Sequence, residues 1–183
     1  MVAILYRMAS GIPGNAANRI EAATIEAMVI NTTSPPNRYG DPVAVATVGN
    51  LGVRPAIAAA DVTAIVGFLV RPYPTTGMPT WPADLLPATN LDATTVLPPA
   101  GFPAISGICS VMRRGYISVA VAGPVIAVKW GPVYFRTSLP LANIPLGCIT
   151  ADPTGGTLIP HTFFQGPQDA QGNCEISVFV GPQ

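Results

Sequence analysis

Apolar residues recur at every second position, or in short β-branched runs, along most of this chain, and prolines interrupt the pattern before a helix of ordinary length can form. Proline-free windows of helical length are found mainly at 15–34, 43–54, 56–71 and 104–123. Inside them the period is that of strands. Residues 43–48 (VAVATV) follow the turn signal Gly40-Asp41-Pro42, and residues 64–70 (AIVGFLV) are apolar on both faces and stop at Arg71-Pro72. Residues 174–180 alternate, with Glu175 and Ser177 opposite Ile176 and Val178. Runs at 116–121, 125–130 and 133–136 are separated by Gly123-Pro124 and Gly131-Pro132, which predicts a three-stranded antiparallel meander.

Two places are open to helix. Residues 19–30 carry glutamates and alanines that suit one, yet 24–30 (TIEAMVI) alternate, and a strand from Thr24 is the better fit. Residues 56–60 could hold a single helical turn. The expected fold is therefore all-β: a compact antiparallel sandwich or barrel-like domain with long Pro/Gly-rich loops and little helix. One domain spans 1–183, with an extended N-terminal arm over 1–18 and a proline-rich excursion over 72–103. That excursion holds eight prolines in 32 residues and has no period of its own. Residues 151–173, rich in Gly, Pro and Gln, read as another irregular connection.

Composition narrows the function. Eight arginines and one lysine are matched by nine carboxylates, so no excess charge is left to neutralise a phosphate track, and nucleic-acid binding is not expected. Only 10% of residues are charged, against about 25% in ordinary soluble domains. Such an ion-poor surface is either covered by partners or solubilised by Thr, Asn, Gln and exposed backbone. The longest uncharged run, 93–112, contains three prolines and cannot be a membrane-spanning helix. No secretory signal is visible, and synthesis in a cytosol is expected.

Candidate chemistry is sparse. Cys109, Cys148 and Cys174 share no paired spacing and read as free thiols. His161 is the sole histidine, which removes metal sites built on two histidines. Cys148, Asp152 and His161 could formally make a thiol catalytic set, but no nucleophile motif surrounds them. Neither a phosphate loop nor a dinucleotide fingerprint is present. No catalytic residue, metal or cofactor is expected. Asn31-Thr32-Thr33 has the glycosylation pattern, expected to be fortuitous. Binding features are better represented. Arg113-Arg114 is either an exposed pair at a strand start or a bidentate anchor to another chain. Trp81, between prolines, is either a lid on the core or an aromatic interface anchor.

Several strings, in order, resemble the structural cement proteins, or capsid decoration proteins, of tailed phages. They are Gly11-Ile-Pro-Gly14 with Arg19 and Ala23-Thr-Ile-Glu26, then Tyr39-Gly-Asp-Pro-Val43, residues 67–74 (GFLVRPYP), residues 111–119 (VMRRGYISV) and residues 131–136 (GPVYFR). The resemblance runs from Gly11 to Arg136 and fades after Leu139. It implies a non-enzymatic virion protein on the outer surface of an icosahedral head, holding major capsid subunits together. It further implies self-association as a trimer, with a dimer as the alternative, and no nucleic acid or membrane partner. Trp81, Arg71, Arg113 and Arg114 are the expected interface residues. The competing expectation is a carbohydrate- or ligand-binding β-sandwich module, using Tyr116, Trp130, Tyr134 and Phe135; the last two are adjacent and must face opposite ways.

Overall fold

The computed structural model describes residues 13–14, 16, 23–36, 38–45, 52–71, 107–138 and 145–180. Most of the expected N-terminal arm, the whole 72–103 excursion and Trp81 lie outside the described residues. Nine strands are described: β1 (Thr24–Val29), β2 (Pro42–Val45), β3 (Val53–Pro55), β4 (Ile65–Val70), β5 (Ile108–Ala120), β6 (Pro132–Arg136), β7 (Ile149–Thr150), β8 (Gly156–Phe164) and β9 (Asn173–Phe179). They form one antiparallel sheet in the order β3-β2-β4-β5-β9-β8-β6-β7, with β1 paired to β5 off this path. The fold is thus mostly antiparallel β with little helix, a curled half-barrel.

β5 organises the sheet because it is long enough to be used twice. Its first half bonds β4 on one side and β1 on the other, and its second half bonds β9 from Arg114↔Phe179 to Ala120↔Asn173. Strict alternation sends Ile117 and Val119 of β5, and Cys174, Ile176 and Val178 of β9, into one core. The sheet curls far enough for Ala44 and Phe68 at one end to share that core with Phe135, Ile149, Ile159 and Phe164 at the other. On the opposite face a second, smaller core collects Val43, Val53, Leu69 and Val111. The doubly apolar 64–70 run therefore becomes a strand buried on both sides.

The strand expected from Thr24 is present as β1. The helical turn expected near 56–60 is a 3-10 turn at Ala59–Ala64. It sits a few residues later because Asp61 accepts the N–H groups of Ile57 and Ala58 and the fork of Arg54, which fixes the chain just before it.

Two expectations are overturned. The 116–136 meander does not form: 125–130 is not a strand, and β6 is separated from β5 by β9 and β8. After β5 the chain turns out of the sheet, with Val121 N–H on Gly172 O and Ala122 N–H on Ile149 O. Of residues 124–130 only Ala127 is buried. The edge beside β5 is instead taken by β9, whose clean alternation offers a complete apolar face. The second correction concerns 151–173, which contains the nine-residue strand β8. Pro160 is tolerated there because β8 is irregular against β6 between Pro132 and Tyr134, so no ladder bond is required of it.

Candidate interaction surface

Four of the strings noted in the sequence meet in one knot. Gly14 N–H donates to Ser118 O and Arg71 N–H to Gly14 O, both at 2.8 Å, while Gly40 N–H donates to Leu69 O. Gly14 has φ +85°, and a Cβ there would lie 3.1 Å from Arg71 N and against Tyr39 Cβ, so only glycine fits. Arg71 closes the knot, its guanidinium stacked 4.7 Å from the Tyr39 ring centroid and its Nε donating to Pro13 O at 3.3 Å. Behind it Asp41 is buried and paired with Arg38 at 3.1 Å. Burial raises its carboxyl to about 7, more than Arg38 offsets.

Arg113 and Arg114 point to different tasks, as neighbours on a strand must. Arg113 donates from Nη1 to both carboxylate oxygens of Glu26, at 3.2 and 3.3 Å, and so ties β1 to β5. Arg114 is exposed and lies over the Phe179 ring at 5.5 Å. The formal catalytic set is not assembled. Cys148 donates its thiol to Pro145 O, Asp152 faces Arg136 at 3.7 Å, and His161 meets the edge of Phe179 at 6.4 Å. Burial pushes the Cys148 thiol up to about 11, the reverse of what a nucleophile needs. Asn31 is also committed, its buried side chain accepting the N–H groups of Thr33 and Ser34. Among the described residues no group of three or more His, Cys, Asp or Glu could hold a metal, and no helix is long and apolar enough to cross a membrane.

The surface that stands out is one that sequence reasoning assigned to a strand. In the 122–131 crossing, Ile126 and Trp130 are each 64% exposed and Val128 62%. The loop is firmly held: Ala127 is buried and donates to Gln168 Oε1, Trp130 N–H donates to Phe164 O, and Gly131 N–H to Val128 O. Trp130 adopts φ +65°, a left-handed conformation that suits glycine or asparagine far better than a bulky side chain. Holding an exposed indole in that geometry costs energy with no gain in core packing. Next to it, the outer face of β8 and β9 shows Leu158, Phe163 and Phe179, with His161 and Arg114 against Phe179. The other aromatics divide: Phe135 is in the core, while Tyr116 and Tyr134 are half-buried. The signal available in the sequence was Trp130 inside an apolar run closed by Gly131-Pro132, which marks a turn as readily as a strand end.

These features define a class first: a β domain whose described surface offers fixed apolar side chains for contact rather than an assembled catalytic centre. The chain belongs to the structural cement protein family (E217 gp24/Pam3 gp6), which matches residues 4–179, well beyond the stretch where the motifs were visible. A chain in the capsid of Myoviridae phage XM1 has the same fold, with a TM-score of 0.61 at 16% identity, covering 97% of this chain and 95% of that one. No curated protein matches significantly. Family membership carries a structural role in the phage capsid and association with capsid proteins.

Proposed function

We propose that this protein binds the outer surface of an icosahedral phage head and clamps contacts between major capsid subunits. The observation that carries the reading is Trp130, whose indole stands exposed on a pinned loop at a left-handed turn position that glycine would fill with less strain. A rigid loop loses little entropy on docking, and tryptophan is the side chain most often found at the centre of binding energy. Arg114, exposed beside Phe179, and Trp81 in its proline-flanked segment are further proposed contacts. Arg71 and Arg113 have partners within this chain and contribute by holding the Gly14–Tyr39 knot and β1 in place. Many copies acting together let a standard interface of about 1,600 Å² per clamp stabilise a whole shell.

The test is competition between wild type and Trp130→Ala for undecorated heads. A cost of about 2 kcal/mol gives the variant roughly thirtyfold lower occupancy per site. Equal occupancy would remove Trp130 from the interface. Trp81→Ala in the same assay reads the excursion. With charges balanced nine to nine, attachment should persist as NaCl rises from about 0.1 to 1 M, where the screening length falls from ~10 to ~3 Å. Loss of most copies would shift the weight to ion pairs at Arg114.

A further inference from the structure

Positive charge is committed unevenly over the described residues. Arg38, Arg54, Arg113 and Arg136 each face a carboxylate of this chain, and Arg71 is taken up by the Tyr39 ring and Pro13 O. That leaves Arg114 and Lys129, both exposed and neither in an ion pair among the described residues. Each lies instead over an exposed aromatic ring, Arg114 at 5.5 Å from the Phe179 centroid and Lys129 at 5.5 Å from that of Trp130. The two rings belong to one surface. Arg114 stands opposite Phe179 across β5 and β9, Ser177 on the same face of β9 stands opposite Phe163, and Trp130 N–H donates to the O of the adjoining Phe164. This surface also holds His161 at φ +55° and Trp130 at φ +65°, the non-glycine residues with left-handed backbone among the described residues. Strain of that kind collects where ligands and partners are held. Glu175 is the carboxylate on this face of β9, half-buried and further along the strand.

We infer that this surface takes an acidic, apolar segment of the major capsid protein, a reading that rests on the proposed attachment to the head and names the chemistry of what is held. Carboxylates of that segment meet Arg114 and Lys129, and its apolar side chains lie against Phe179, Phe163 and Trp130. A cation resting on a ring is already shielded from water on one side, so less hydration is lost when a carboxylate closes over it. An ion pair enclosed by apolar side chains is stronger than an exposed one and less screened, so retention in about 1 M NaCl is compatible with it. Other occupants match the charge less well. A second copy of the chain would offer these two cations only the half-buried Glu175 from the same face, and two cations are too few to hold a nucleic-acid backbone.

Lys129 is the only lysine of the chain, which makes its amine a unique probe. Decorated heads treated with a water-soluble carbodiimide should yield an amide between Lys129 Nζ and an aspartate or glutamate of a shell subunit, located by mass spectrometry after digestion. In competition for undecorated heads, Lys129→Met and Arg114→Met keep an unbranched apolar side chain over the ring and remove the charge. Each should fall about tenfold in occupancy per site, the low end for close interfacial charge pairs. Lys129→Arg and Arg114→Lys should recover most of that loss. All four variants should unfold at the wild-type temperature, because both side chains are exposed. If Trp130→Ala loses occupancy while both methionine variants compete equally with wild type, the surface attaches by apolar contact alone and the acidic partner is overturned. If Trp130→Ala competes equally as well, the attachment reading of this surface falls and takes the acidic partner with it. A Lys129 cross-link found only to another copy of this chain, or none to the shell, would also overturn the inference.

Discussion

The two ends of the curled sheet are built to different rules. Around β2, β4 and the first half of β5 both faces are buried, Phe68 and Met112 in the large core and Leu69 and Val111 in the small one. Around β8, β9 and the crossing loop only the inner face is buried, and Phe163, Phe179, Val128 and Trp130 stand outside. The glycine-rich knot that Arg71 closes belongs to the first region, and the strained Trp130 to the second. One end is scaffold, over-determined from both sides. The other keeps apolar surface in reserve, which in a soluble chain is a mark of interaction.

Truncations separate the two ends most sharply. Phe68→Ala should cost about 3–5 kcal/mol by cavity formation, a drop in Tm of roughly 6–20 °C by calorimetry. Trp130→Gly should stay within about 1 kcal/mol of wild type in stability, because glycine accepts the left-handed backbone, while losing attachment as the alanine variant does. A large loss of stability from Trp130→Gly would make the loop part of the scaffold and erase the distinction.

Acid and base effects belong to the scaffold end and have opposite signs. Asp61, held by Arg54 and two backbone N–H groups against the cost of burial, has its carboxyl lowered to about 2, so its contribution is present above about 4 and fades as pH falls toward 2. Asp41 is raised to about 7, so the folded state holds its proton more tightly than the unfolded chain, and stability declines as pH rises from about 4 to 7. Urea midpoints across pH 2–8 should peak near the ordinary carboxylate range. Asp41→Asn should flatten the decline above it, and Asp61→Asn the fall below it. The smallest effect is expected at Arg113→Gln: its pair with Glu26 is partly exposed, and double-mutant cycles should give about 0.2–1 kcal/mol.

Strand identity was legible wherever a short run carried its own complete pattern. β1, β4 and β9 each alternate, or are apolar throughout, within six or seven residues, and their local preference agrees with their place in the sheet. The motifs around Gly14, Tyr39 and Arg71 were visible as strings, but their meeting was not, since Arg71 N–H bonds Gly14 O across more than fifty intervening residues. Of the expected interface residues, only the intramolecular roles of Arg71 and Arg113 and the exposure of Arg114 are described; Trp81 lies outside the described residues.

By itself, then, the chain's pattern determined an all-β domain, broken into short runs by its prolines, because such patterns depend on neighbours two to four residues apart, while composition gave only that the chain is poor in charge. Only the tertiary structure decided which runs became strands when local signals were equal. Residues 125–130 are as β-prone as many strands, but the edge of β5 is filled by β9, a partner some fifty residues later, and the run is left outside as the Trp130 loop. Residues 156–164 look broken by Pro160 and His161, yet β6 and β9 on either side supply enough partners to carry a strand past the irregularity. A strand needs a neighbour to bond, and who that neighbour is depends on the whole sheet.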